Sequence, residues 1–250
     1  MAMNPMEQFT IKPIVPLHIG GYDVSFTNQS LFMVVVVLAA AAFLTFAMGG
    51  RKLVPSRAQS MAEMSYEFVA GMINSSAGDD GLKFFPFVFT LFIFVLFCNF
   101  FGMVPWTFTV TSQIAVTFAL AALVVLTVIV TGFAKHGIGF LKLFVPKAPF
   151  LLLLLLVPIE VISFLTRPIS LSVRLFANML AGHTMLAVFA GFVVMLGSAG
   201  GVLSVLSVAP MALIVAIMLL ELLVAFLQAY VFAILTCIYI NEALHLHDHH

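Results

Sequence analysis

The chain has 250 residues, 63% hydrophobic and only 8% charged, and its ten basic and ten acidic side chains cancel. No soluble domain hides that much apolar surface, so the composition excludes a soluble globular protein, and zero net charge argues against nucleic acid as a partner. The apolar runs are long and unbroken, which means membrane helices and not the short alternating segments of a β-barrel.

Residues 1–30 are mixed and polar, with no basic region leading into an apolar core, so no signal peptide is read. The first span covers residues 31–50 and ends at Gly49-Gly50 and the basic cluster Arg51, Lys52, Arg57. Over residues 57–75, Met61, Met64, Phe68 and Met72 recur at helical spacing while Gln59, Glu63 and Glu67 take other positions. That pattern fits an amphipathic helix on the membrane surface, or one packed on a partner domain. Ala77-Gly-Asp-Asp-Gly81 reads as a turn. A second span, 84–104, carries Asn99 and stops at the interfacial Pro105-Trp106. A third occupies 112–133, followed by a loop with Lys135, Lys142 and Lys147.

Two over-long apolar segments follow, 149–196 and 202–240, before a tail at 241–250. As a helix, residues 149–196 would reach about 70 Å against a hydrocarbon core of about 30 Å. The segment must therefore tilt strongly or break, and Pro158 and Pro168 offer bends. Gly197-Ser-Ala-Gly-Gly201 leaves room only for a tight turn. The predicted fold is thus an all-α polytopic membrane protein: a single membrane domain with about five crossing helices, one surface helix and a closing antiparallel hairpin, strongly tilted. Basic residues gather at 51–83 and 134–147 and are absent from the other loops, which places these two loops in the cytoplasm and the N-terminus outside.

Polar residues are few in the hairpin. Its first arm carries Glu160, Arg167, Arg174, Asn178 and His183, and its second Glu221 and Gln228. With the turn at Gly200-Gly201, residues of equal depth have numbers that sum to about 402, which sets Arg174 opposite Gln228 and His183 near Glu221. Arg174 keeps its charge in any environment, and burying it in a bilayer costs at least about 2.5 kcal/mol, so it marks an ion or substrate pathway. Glu160 lies about 21 Å of helix to its inner side and His183 about 13 Å to its outer side. At 100° per residue, Glu160, Arg167 and Arg174 share a stripe about 40° wide, while His183 faces about 180° away, an arrangement for two separate aqueous pockets. Arg167 is expected to snorkel to the interface. Asn99 either lines the outer pocket or bonds another helix. Cys98 and Cys237 read as small buried hydrophobes, and the tail HLHDHH as a solvated end, so no metal or cofactor is expected. With no Gly-rich phosphate loop, the chain alone binds no nucleotide and is not an enzyme by itself.

The stretches PIEVISFLTRPISLSVRLFANMLAGH, LELLVAFLQAYVFAILTCIYI and NFFGMVP resemble subunit a of the F-type ATP synthases. The resemblance implies a stator beside a rotating ring of c subunits, with b-type peripheral stalk and other ATP synthase subunits as partners and lipid around it. It aligns Arg174 with the family's essential arginine, Asn178 with the asparagine one turn on, and Gln228 with a glutamine of the last helix. The acid–histidine proton site falls on His183 and Glu221, an arrangement similar to mitochondrial and alphaproteobacterial members. On this reading protons load through an outer half-channel and leave through an inner one near Glu160, with Arg174 between. The implied location is a bacterial inner membrane, or alternatively the mitochondrial one. The competing reading is an ion-coupled secondary transporter with a midplane Arg/carboxylate site, which calls for repeated halves not evident in the chain.

Overall fold

The computed structural model describes residues 9–16, 18–19, 22–23, 25–49, 55–104, 107–144 and 150–245. Arg51, Lys52, Lys147, Pro105-Trp106 and the tail from Leu246 onward lie outside the described residues. The elements are β1 (Pro13–Val15), β2 (His18–Ile19), β3 (Tyr22–Asp23), β4 (Phe26–Thr27), α1 (Asn28–Met48), α2 (Arg57–Gly81), α3 (Phe85–Gly102), α4 (Ile114–His136), α5 (Phe150–Ser198), α6 (Gly201–Leu206) and α7 (Val208–Leu244). Three 3₁₀ turns connect them, at Leu82–Phe84, Val110–Ser112 and Gly137–Phe144. Among the described residues, five helical segments are long and apolar enough to cross a membrane. This is the all-α polytopic architecture that the hydropathy predicts. Spanning helices dominate because lipid offers no partner to a free N–H or C=O, and a helix pairs nearly all of its own.

The strands, which hydropathy does not signal, are very short. β1 pairs antiparallel with β4, Pro13 opposite Thr27, and β2 with β3, His18 opposite Asp23. They lead into α1, where the Thr27 hydroxyl accepts from Ser30 N at 3.4 Å and the Asn28 carboxamide accepts from Gln29 N at 3.0 Å. Ser56 caps α2 in the same way, accepting from Gln59 N at 3.3 Å.

The chain forms two compact units, each assembled from three separated stretches: residues 1–42, 94–113 and 175–229, and residues 43–93, 114–174 and 230–250. The first unit is centred on Val36, Val95, Cys98, Leu175, Met179, Ala225 and Ala229, each at most 1% exposed. In the second, Val69 and Ile73 of α2 pack into the core with Val88 and Phe92 of α3 and Phe232 and Ile240 of α7, again at most 1% exposed. Phe68 also touches the rings of Phe92 and Tyr230, with centroids 5.8 and 5.7 Å away.

The predicted methionine stripe of α2 divides. Met72 is buried at 6%, whereas Met61 and Met64 stand 56% and 61% exposed. The core face of this helix is instead Ala62, Val69, Met72, Ile73 and Ala77, so β-branched and small residues outweigh the methionines. The turn expected at residues 77–81 proves to be a kink inside α2. Gly78 has φ 62°, a left-handed value open to glycine, and helical bonding resumes to Gly81. α5 runs through both Pro158 and Pro168 as one 49-residue helix. The hairpin reverses at Gly200 and Gly201, whose φ values are 71° and 61°.

After α4 the chain doubles back at Gly137, φ 55°, and lays Phe140 across Gly132. Phe140 is 1% exposed, and a Cβ on Gly132 would run into its ring. Gly132→Ala should therefore destabilise the folded chain by about 1–3 kcal/mol, the usual cost of overpacking. Gly139→Ala, whose Cβ would meet only the His136 Cβ at 4.0 Å, should change little. Thermal unfolding of the detergent-purified protein distinguishes the two.

Candidate functional site

In the first unit two groups of polar side chains stand out, one around Asn99 and one around His183. Asn99, on α3 and 0% exposed, donates from its amide nitrogen to the Ala225 carbonyl of α7 at 3.0 Å. Its amide oxygen accepts from the Thr111 hydroxyl at 3.0 Å. Of the two roles open to Asn99 in the sequence, helix bonding is the one its contacts display. The small residues Ala225 and Ala229, both fully buried, let α3 come close enough to α7 for this contact.

His183 on α5 and Glu221 on α7 meet in the same unit, Nε2 to Oε1 at 3.5 Å. Their side chains are 13% and 4% exposed. The register read from the sequence puts them at equal depth, and here they are neighbours. One feature lets the carboxyl sit there. Gly182 has no side chain, and a Cβ on it would fall 2.8 Å from Glu221 Oε1. The Phe9 ring stands edge-on to the imidazole, centroids 6.2 Å apart at 72°. Neither carboxyl oxygen of Glu221 has a hydrogen-bond partner among the described residues. Buried polar groups are satisfied in the great majority of cases, so this carboxyl is one that water or a transferable proton must serve. Asn178 and Gln228 belong to this unit too, each half-buried.

The second unit holds both arginines of α5 and Glu160. Arg167, expected to snorkel, is instead held by an ion pair from its Nη1 to Glu242 Oε2 on α7. The guanidinium also lies 5.1 Å from the Tyr239 ring centroid and 5.8 Å from that of Phe164. Glu242 was missed because it sits just past the end of the apolar run, where a charge reads as interfacial. The equal-depth register would have set it opposite Glu160, whereas the pair forms seven residues further along α5.

Arg174 is exposed and has neither an ion pair nor a hydrogen bond among the described residues. The rotation of α5 that turns it outward is set nearby. The Ser172 hydroxyl shares a hydrogen bond with that of Thr117 on α4 at 3.2 Å, and Ser172 and Thr117 are 1% and 0% exposed. Leu171 faces inward beside it at 3% while Val173 is 43% exposed. Hydropathy alone gives Ser172 and Thr117 no distinguishing signal, since both sit as single hydroxyls in apolar runs. Glu160 is half-buried, with no ion pair among the described residues.

The Arg167–Glu242 pair yields a direct test. Arg167→Gln leaves a partly buried carboxylate without its counter-charge and should cost about 1.5–3 kcal/mol, the range for a charge-assisted hydrogen bond. The double variant Arg167→Gln with Glu242→Gln should recover most of that loss, because two neutral amides can pair where one stranded charge cannot. Thermal midpoints of the four proteins of this cycle supply the coupling energy.

The sequence profile described as ATP synthase A chain matches residues 30–241. A protein from Mesorhizobium japonicum named ATP synthase subunit a is 62% identical over 244 residues, 97% of each chain. One of the same name from Allorhizobium ampelinum is 63% identical over 250 residues, the full length of both. Another, from a Chelativorans species, is 63% identical over 246 residues, 98% of this chain and 99% of the relative. The chain is a membrane protein of the ATP synthase A chain family.

Proposed function

We propose that this chain is the proton-conducting stator subunit of a rotary ATP synthase in a bacterial inner membrane. In this role it touches a ring of c subunits and the b-type peripheral stalk. The observation that carries the proposal is Arg174: a permanent charge, exposed, on an apolar helix, with no ion pair or hydrogen bond among the described residues. A lone guanidinium in lipid is strongly disfavoured, so its counter-charge has to come from another chain. A carboxylate carried past by a ring supplies one, intermittently.

The other residues then take roles consistent with their surroundings. His183 and Glu221 receive protons from the outer side and hand them to the ring. Asn178 and Gln228 serve the proton path, and Asn99 fixes α3 to α7. Glu160 receives the proton released on the inner side. Arg174 attracts the ionised ring carboxylate and blocks direct passage between the two half-channels. Each proton crossing 100 mV brings about 2.3 kcal/mol. The 49 residues of α5 exceed an upright span by a wide margin, which supports a steeply inclined hairpin able to follow a cylindrical partner.

Arg174→Ala should abolish ATP-driven proton pumping while the complex still assembles, and should raise passive proton leak. Arg174→Lys should restore little, because a compact ammonium lacks the planar fork that grips a carboxylate. Pumping by reconstituted vesicles, with assembly checked on the same sample, is the measurement. Wild-type pumping by the alanine variant removes the proposal.

A further inference from the structure

Thr109 stands at the start of the turn after α3 and is 5% exposed. Its backbone is pinned, because both the amide and the hydroxyl of Ser112 donate to the Thr109 carbonyl, at 3.2 and 2.6 Å. Its own hydroxyl has two neighbours, the Gly102 carbonyl at 3.2 Å and His183 Nε2 at 3.3 Å.

A hydroxyl has one proton to give and lone pairs to receive with. Gly102 closes α3, so its carbonyl is among the last of the helix and has no partner within it. The carbonyl is buried and can only accept, and Thr109 is its hydrogen-bond donor among the described residues. The hydroxyl proton therefore points at Gly102, and the lone pairs of Oγ1 face the imidazole. Nε2 must carry a hydrogen to bond them. Its second neighbour, Glu221 Oε1 at 3.5 Å, is also an acceptor when ionised. With acceptors on both sides, Nε2 is the protonated nitrogen of the neutral ring, and Nδ1 keeps the free lone pair.

We infer that Thr109 is a positioning residue that holds the ring proton of His183 on Nε2, the ring nitrogen nearest Glu221 Oε1, and reserves Nδ1 for the incoming proton. The inference rests on the reading of His183 and Glu221 as the proton-uptake pair. It gives the imidazole a direction. A proton binds Nδ1, the Nε2 proton passes to a Glu221 oxygen, and the ring is left neutral with its hydrogen on Nδ1. Thr109 then favours the return to the Nε2–H form, which the ring regains when the Nδ1 hydrogen is relayed through water to Nε2, with no net gain or loss of protons in that step. Gly102 belongs to the same device, since a Cβ there would stand 2.7 Å from Thr109 Cγ2 and push the hydroxyl away.

The test uses the assembled ATP synthase complex with ¹⁵N-labelled histidine, His183 being assigned by the signals lost in His183→Gln. Glu221 is the titratable group recorded against the imidazole among the described residues, so the spectrum is followed across pH with Glu221 intact. Wild type should display a protonated Nε2 and a bare Nδ1 in the neutral ring. Thr109→Val keeps the shape and loses the hydroxyl. It should mix the two tautomers, displace the pH profile of proton uptake in reconstituted vesicles, and slow uptake about fivefold, the weight of one ordinary hydrogen bond. Thr109→Ser should restore both readouts. A wild-type ring with its hydrogen on Nδ1, or an unshifted pH profile in Thr109→Val, overturns the inference. If the valine variant does not assemble, the wild-type spectrum still decides. Normal transport by His183→Gln would instead remove the uptake-pair reading, whereas impaired transport by that variant with an Nδ1–H ring in wild type would remove this inference alone.

Discussion

An arginine cannot shed its charge inside a membrane, and the two arginines of α5 meet that constraint in opposite ways. Arg167 is closed off within the chain by Glu242, Tyr239 and Phe164. Arg174 is exposed and without an ion pair among the described residues. A pair satisfied internally holds helices together, while a charge left open motivates the proposal that another chain supplies its counter-charge. The Ser172–Thr117 bond matters for this reason, because it sets the rotation of α5 that directs Arg174 outward.

The first unit handles its polar groups differently. Asn99 and Thr109 donate to the carbonyls of Ala225 and Gly102, and Thr111 donates to Asn99, which makes a stiff frame. Within that frame Glu221 alone has buried side-chain oxygens lacking a hydrogen bond among the described residues. A rigid surround with one unsatisfied carboxyl beside an imidazole supports the proton-uptake role proposed for the pair. The glycines at 102 and 182 show the same economy, since each leaves out a Cβ where a polar side chain has to come close.

Much of this was legible in the sequence. Hydropathy finds the spanning helices because lipid imposes one solution on the backbone, and the motif around Arg174 already resembles the family to which the chain belongs. The His183–Glu221 neighbourhood follows from a turn position and a helical register. Three kinds of feature escaped. The strands of residues 13–27 are too short to carry a periodic signal. Hydroxyl contacts such as Thr109 to His183 depend on where a turn lands, and loop geometry has no hydropathy. The Arg167–Glu242 pair departs from the register of the outer half of the hairpin, so counting from the turn mispairs its inner end.

In the proposed function the Arg174 face of α5 meets the carboxylate-bearing helix of a separate ring subunit. Disulfide cross-linking in the assembled complex addresses that most directly, with one cysteine near the ring carboxylate and one on α5. Val173 and Ala177 flank Arg174 and are exposed, whereas Leu175 and Met179 are fully buried. Cross-links are expected from Val173→Cys and Ala177→Cys and none from Leu175→Cys or Met179→Cys. Absence of any cross-link from the exposed positions, with cysteines there bonding instead to helices of this same chain, would contradict the proposed function.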